Sequence, residues 1–245
     1  MIQTSNLSKI FQDKKRGKIT AVDNITFSCK AGEVFGLLGL NGAGKTTTLR
    51  LLATSLKPTS GTASVSGFDI VKEPQRVKEK IGFLTGDTGL YARLTAEETI
   101  TYFARLYGLH NSDLEKRKTE IIKLLDMEDF KKGQVDKLSL GQKQKVSIAR
   151  TVIHNPPVLI LDEPTARLDV ISARNIVEFI KEAKRAGKCI IFSTHIMHEA
   201  AKLCDVIAII HKGKILEAGT LPQFQEKYKI QELDDIFVKI VEEKR

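Results

Sequence analysis

The run Gly39-Leu-Asn-Gly-Ala-Gly-Lys45-Thr46 constrains this 245-residue chain more than any other stretch. It fits the pattern G-x-x-x-x-G-K-[ST], in which backbone amides wrap a polyphosphate. Its flanks agree: Glu33 to Leu38 reads as a strand and Thr47 to Ala53 as a helix. Gly42 and Gly44 let successive N–H groups converge on phosphate oxygens, and the helix N-terminus adds partial positive charge. Lys45 is the residue to neutralise the β and γ phosphates, and the Thr46 hydroxyl is a candidate Mg²⁺ ligand. Gly39, Asn41, Ala43 and Thr47 complete the predicted nucleotide-binding set. A glycine-rich turn with a chance Lys-Thr pair is the bland alternative; the flanking strand and helix argue against it.

Further strands are predicted over Thr20 to Cys29, Thr62 to Ser66, Ile81 to Leu84, Val158 to Asp162, Cys189 to Thr194 and Val206 to His211. Val158 to Leu161 is apolar throughout, as expected of a strand covered on both faces. Strands alternating with helical stretches point to an α/β fold with a largely parallel sheet. No strand pattern occurs from Thr95 to about Asn155, where three helices are predicted: Thr99 to Tyr107, Ser112 to Met127 and Gly141 to His154. Thr95 followed by Glu98 reads as a capped helix start, and Asn155-Pro156-Pro157 as a stop. Lys212-Gly213 reads as a hairpin turn, and Leu233 to Val241 as a helix in a charged tail.

The strand Val158-Leu-Ile-Leu ends in Asp162-Glu163. Adjacent carboxylates at the end of a buried strand call for a cation or a task nearby. Asp162 is placed to hold Mg²⁺, and Glu163 to polarise an attacking water as general base. An ordinary acidic strand end is the alternative reading, and the phosphate loop outweighs it.

With these residues in view, the chain resembles the ATP-binding subunits of ABC transporters over roughly residues 1 to 220. Leu138-Ser139-Leu140-Gly141-Gln142 is similar to the family signature LSGGQ, with Leu140 where the first glycine usually sits. Thr194-His195 matches the switch histidine, Leu168-Asp169 the end of the loop after the base, and Phe11 the aromatic that stacks on adenine. The resemblance implies an α/β P-loop NTPase fold with an antiparallel β portion near the N-terminus and an inserted helical subdomain. It divides the chain into an ATPase domain over 1–221, with an α/β core (1–85 and 156–221) and a helical subdomain (86–155), followed by a tail over 222–245. It also implies ATP and Mg²⁺ as cofactors, and a head-to-tail dimer, homodimeric or with a paralogous subunit. In that dimer Ser139, Gly141 and Gln142 of one chain would face the phosphate loop of the other, and Asp169 would help align the subunits. The residues carry their own readings. Ser139 and Gly141 precede a helix and can offer a hydroxyl and amides to phosphate, or serve as a simple N-cap. His195 is placed to hydrogen-bond a terminal phosphate, or to be a satisfied strand-end histidine. Phe11 fits a core position as well as an adenine platform, and His198 reads as surface.

Two positions depart from the family pattern. The glutamine expected after Ile81 to Leu84 falls on Gly86, which has no side chain. Asp87 is the candidate replacement as a metal ligand, with Thr88 the other polar neighbour. Arg167 stands where small residues are usual. It either pairs with an acid across the dimer or is solvated, and the second is the simpler reading.

The net charge of +9 suits phosphates, an anionic membrane face or diffuse solubility. No aromatic-basic stacking platform accompanies it, so no nucleic-acid partner is expected. The apolar runs are far shorter than a bilayer span, and the N-terminus has no signal-peptide apolar region. Cys29, Cys189 and Cys204 form neither a metal cluster nor a disulfide framework and read as reduced core cysteines. Together with these features, the resemblance implies a peripheral ATPase on the cytoplasmic face of the membrane, docked on a separate polytopic subunit and driving solute export. The segment from Gly82 to Tyr91 resembles ATPase subunits of sodium-extruding exporters and equally suits a drug exporter. The alternative is a non-transport relative acting on nucleic acid or ribosomes. Position 45 lies only 94 residues before position 139, too few for a chromosomal coiled-coil arm, and ribosomal members usually carry two ATPase domains.

Overall fold

The computed structural model describes residues 1–14, 17–86 and 89–244. The chain opens with the strands β1 (Ile2–Asp13), β2 (Gly17–Ile25) and β3 (Ser28–Cys29), then β4 (Val34–Leu38) and the helix α1 (Lys45–Leu52). There follow β5 (Ser60–Val65), β6 (Phe68–Asp69), α2 (Pro74–Lys80) and β7 (Ile81–Leu84). Three helices come next: α3 (Ala96–Leu106), α4 (Asn111–Leu124) and α5 (Leu140–Val152). The chain then returns through β8 (Val158–Asp162), α6 (Val170–Arg185), β9 (Cys189–Thr194), α7 (Met197–Leu203), β10 (Val206–His211) and β11 (Lys214–Gly219). It closes with α8 (Leu221–Tyr228) and α9 (Leu233–Glu243).

The main sheet has the order β11-β10-β4-β9-β8-β7. Its four pairings from β10 to β7 are parallel, and only β10 with β11 is antiparallel. Strand periodicity sorts its side chains between two cores. Val158 and Ile160 face one, together with Leu49, Leu51 and Leu52 of α1. Leu159 and Leu161 face the other, with Ile148 and Val152 of α5 and Ile176 and Ile180 of α6. Each such buried aliphatic side chain stabilises the fold by roughly 1.5–3 kcal/mol. Helices on both faces explain why β4, β8 and β9 are apolar without alternation. A third cluster seats α8 and α9 against Leu38, Ile207 and Ile209.

The second sheet runs β2-β1-β5-β6, with β3 also paired to β1, and all its pairings are antiparallel. Sequence reasoning missed β1. Its register shifts between Leu7 and Lys9 and again between Lys9 and Ile10, and these shifts break the period-2 pattern that would have revealed it. The predicted strand Thr20 to Cys29 is corrected to two pieces, β2 and β3. At the break, the Thr26 hydroxyl accepts from the Asn6 amide and the Phe27 amide turns to the Thr4 hydroxyl. The predicted helix Gly141 to His154 runs instead from Leu140 to Val152. The Thr95–Glu98 capping box is present at the start of α3 as expected. Helices α2, α6, α7 and α8 went unrecognised in the sequence. Cys29, Cys189 and Cys204 are free thiols.

This topology aims the site. The chain leaves the carboxyl end of β4 between β9 and β10, where the order of the sheet reverses. Ligands of open α/β sheets bind at such a switch point.

Candidate active site

The loop between β4 and α1 is tightly constrained. Gly42 and Gly44 have φ of 79° and 109°, a region that glycine enters without a Cβ penalty. A Cβ on Gly44 would lie 2.5 Å from the Ala21 carbonyl oxygen, so only glycine lets β2 approach the loop. The Ala43 carbonyl accepts from the Gly213 amide at 2.8 Å, tying the loop to the β10–β11 turn. Lys45, Thr46 and Thr47 form the first turn of α1, whose N-cap Gly44 supplies no side-chain cap. The leading amides of that helix therefore remain donors for an anion.

Lys45 is only 4% exposed. Its Nζ donates to the carbonyls of Gly39 at 2.7 Å and Leu40 at 3.2 Å, and lies 3.5 Å from Glu163 Oε1. Glu163 Oε1 also faces His195 Nδ1 at 3.2 Å. One carboxylate thus links the ammonium group of the loop to an imidazole from the end of β9. Glu163 holds this place with φ of 46°, a left-handed conformation uncommon for a side chain.

Asp162 Oδ1 accepts from Thr46 Oγ1 at 3.2 Å and from Ser193 Oγ at 2.5 Å. Ser193 is wholly buried, and its Oγ also accepts from the Glu163 amide at 3.0 Å. Sequence reasoning missed Ser193. A hydroxyl ending the apolar run Cys189-Ile-Ile-Phe192 was the available signal. It also missed Gln144, whose Nε2 donates to the Pro164 carbonyl at 2.7 Å and ties α5 to the turn after Glu163.

Ser139 and Gln142 form a reciprocal capping box at the start of α5, with the amide of Gln142 to Ser139 Oγ at 3.2 Å and the amide of Ser139 to Gln142 Oε1 at 2.9 Å. Within the single chain they cap a helix. Gly141 is a packing requirement: a Cβ there would fall 2.3 Å from Ser172 Oγ on α6. Asp169 caps α6 through the amides of Ile171 and Ser172. The amide and hydroxyl of Ser172 hold its carboxyl below the usual carboxylate range. Phe11 lies on the β1–β2 hairpin opposite Ile19, two residues from Ala21 and so on the hairpin that abuts the phosphate loop. Asp87 and Thr88 lie outside the described residues.

Thr46, Gly86, Leu140, Asp162, Glu163 and Arg167 are among the residues that line one cavity of about 520 Å³ at the ends of β7 and β8. The cavity joins a phosphate-cradling loop, two carboxylates and the first turn of a second helix. A family profile described as ABC transporter matches residues 22–166, more than half of the chain. The chain belongs to the ABC transporter ATP-binding family. It is 44% identical over 239 residues, 97% of each chain, to the ABC transporter ATP-binding protein NatA of Bacillus subtilis. It is 37% identical over 220 residues to the linearmycin resistance ATP-binding protein LnrL of the same organism, spanning 90% of this chain and 69% of that one. A dimeric ATP-binding cassette in a post-hydrolysis state, bound to ADP and Pi, superposes with a TM-score of 0.81 at 28% identity, covering 90% of this chain and 98% of that one. The chain is an ATPase subunit of an ABC transporter, and the reading as a nucleic-acid or ribosomal ATPase is set aside. The P-loop NTPase fold with an antiparallel β portion and α/β core is as the sequence implies. ABC ATPase subunits pair with membrane subunits and dimerise. Among the described residues no helix is long and apolar enough to cross a membrane.

Proposed function

We propose that this subunit hydrolyses Mg-ATP inside a head-to-tail pair of cassettes, and that a separate polytopic membrane subunit converts the closing and opening of the pair into solute export. One observation carries the chemistry: the Glu163 carboxylate sits between Lys45 Nζ at 3.5 Å and His195 Nδ1 at 3.2 Å, beside the phosphate loop. Glu163 takes the proton of the attacking water. His195 orients that carboxylate and points the site toward the terminal phosphate. Lys45 and the loop from Gly39 to Thr47 hold the phosphates, through amides such as those of Asn41, Gly42 and Gly44, while the Gly39 and Ala43 amides shape the loop by donating to the Thr194 and Leu40 carbonyls. Thr46 Oγ1 and Asp162 Oδ1, 3.2 Å apart, are hard oxygen donors on one side of a site, a set that fits Mg²⁺. Among the described residues no three acidic, His or Cys groups gather as a cage. Bound by Thr46 and Asp162, Mg²⁺ neutralises the charge of the phosphates. Phe11 offers its half-exposed ring to adenine.

The signature residues Ser139, Gly141 and Gln142 serve the ATP of the neighbouring chain. Leu140 is 66% exposed at this rim, and Val170 and Ile171 expose their side chains at the start of α6, which supports burial against a second cassette. A groove lined by Ala53, Ser55, Phe83, Phe103 and Tyr107, with exposed Tyr91 and Leu106 nearby, supports docking of the membrane subunit at the cytoplasmic face. Likeness to a relative named for linearmycin resistance supports the outward direction and a drug as the class of cargo, with sodium the alternative that the Gly82 to Tyr91 resemblance offers.

Glu163→Gln is the test. It keeps the shape and removes the base, so turnover falls about 10²- to 10⁴-fold while ATP binding survives. Size-exclusion chromatography then shows a dimer that accumulates with ATP. Turnover at the wild-type rate refutes the role of Glu163.

A further inference from the structure

Arg167 occupies a backbone conformation that disfavours any residue with a Cβ. Its φ is 64°, in the left-handed region, where glycine sits freely and a side chain crowds the backbone. The turn around it is well held. The Ala166 amide donates to the Glu163 carbonyl at 3.1 Å and the Leu168 amide to the Thr165 carbonyl at 3.3 Å. Glu163 and Arg167 are thus two left-handed residues in one short turn. The first has its carboxylate engaged by Lys45 and His195. The second lines the cavity that holds Thr46, Asp162 and Glu163, and its guanidinium has no ion pair or hydrogen bond to a described residue.

Gly86 lines the same cavity without a side chain, and a Cβ built there would meet no atom of a described residue within 4 Å. The charges are also unbalanced. Asp162 and Glu163 bring two carboxylates, and the Lys45 ammonium is already shared between two carbonyls and Glu163. A terminal phosphate entering this space adds further negative charge. Arginine fits the need: it is always charged, and its planar fork matches phosphate oxygens.

We propose that Arg167 reads the terminal phosphate: its guanidinium extends into the cavity it shares with Gly86, Thr46 and the acid pair, donates to the γ-phosphate oxygens of ATP, and so discriminates ATP from ADP. This rests on the cavity being the terminal-phosphate site.

The test is equilibrium binding of Mg-ADP and of a non-hydrolysable Mg-ATP analogue to the full chain. Arg167→Gly relieves the strained φ, so the melting temperature stays within about 2 °C of wild type. ADP affinity is expected to be unchanged and analogue affinity to fall about tenfold, the loss of a charge-assisted hydrogen bond. Arg167→Lys keeps the charge without the fork and falls between. If the ratio of analogue to ADP affinity stays at the wild-type value in both variants, Arg167 does not read the phosphate and the proposal is overturned. Lys45→Ala separates the two levels. If it abolishes nucleotide binding while the Arg167 variants preserve the wild-type ratio, only this inference fails. If it leaves binding intact, the phosphate-site reading fails with it.

Discussion

Replacing Ser193 by Ala removes one oxygen atom and almost no volume, so any effect comes from hydrogen bonding. The wholly buried Oγ donates to Asp162 Oδ1 at 2.5 Å and accepts from the Glu163 amide at 3.0 Å. A hydrogen bond to a charged group contributes about 1.5–3 kcal/mol, and a neutral one about 1 kcal/mol. Both losses are softened. The Glu163 amide also meets the Ser193 carbonyl at 3.2 Å, and Asp162 keeps the Thr46 hydroxyl at 3.2 Å. The net cost is therefore about 2 kcal/mol. In a chain of this size each kcal/mol moves the melting temperature by about 2–4 °C, so the midpoint drops by about 4–8 °C. Catalysis suffers separately. Ser193 fixes both Asp162 and the backbone of Glu163, and displacing reacting groups by about 1 Å can cost about 100-fold. We expect kcat to fall about ten- to a hundredfold with little change in KM, because the phosphate loop is untouched. Thermal unfolding by circular dichroism and steady-state phosphate release measure the two effects. A melting temperature within 1 °C of wild type together with a kcat within about twofold would refute the argument that this hydroxyl positions the acid pair.

The other predictions probe the turn, the helix contact and the acid limb. Glu163→Gln traps an ATP-bound dimer with turnover lost, and Arg167→Gly spares ADP while weakening ATP, as set out above. Gly141→Ala puts a Cβ 2.3 Å from Ser172 Oγ and pushes α5 away from α6. A cost of about 1–3 kcal/mol is expected in urea unfolding, reduced when Ser172→Ala is added. His154 stacks flat on Tyr107 with centroids 3.6 Å apart, and its buried Nδ1 has no hydrogen-bond partner among the described residues. Burial pushes its pKa down to about 4, although the Ile81 carbonyl and the Nε2 opposite it, 3.0 Å apart, favour the charged form. Above pH 6.5 both folded and unfolded chains leave this ring neutral, and its contribution to stability is complete. As pH falls from 6.5 toward 4 the unfolded chain alone takes up the proton, and at most about 3 kcal/mol is lost. His154→Phe keeps the ring stacking without titrating. The difference between urea unfolding at pH 7 and pH 5 should shrink in that variant, and an unchanged difference would exclude His154 as its source.

The site was legible wherever chemistry dictates residue type locally. The phosphate loop is a continuous segment whose glycines and Lys45 answer to the same ligand, so eight residues in a row carry its signal. Asp162 and Glu163 were visible because two acids cannot end a buried strand idly. Ser193 and Gln144 were not, because each acts on a segment about twenty or thirty residues away and neither belongs to a motif read from its neighbours. The double nature of Ser139 and Gln142 also needed the structure: the same side chains that match a signature satisfy one another as a cap. The long strand β1 escaped because its bulges scramble the alternation that reveals a strand, and although β2 follows it in a hairpin, its other long partner, β5, lies some fifty residues along the chain.

By itself the amino-acid order determined the local chemistry: a loop that binds phosphate, a strand that ends in acids, an ATPase lineage. These properties depend on residues adjacent in sequence, whose conformations are set by steric limits and helix and strand periodicity. The folded structure alone decided which carboxylate oxygen meets which hydroxyl, that Lys45 and His195 converge on a single oxygen of Glu163, and that Arg167 lines the same cavity as Gly86. Those meetings arise when parallel strands distant in the chain pack side by side. Their register is fixed by burial of apolar faces that carry no record of the polar contacts formed at the strand ends.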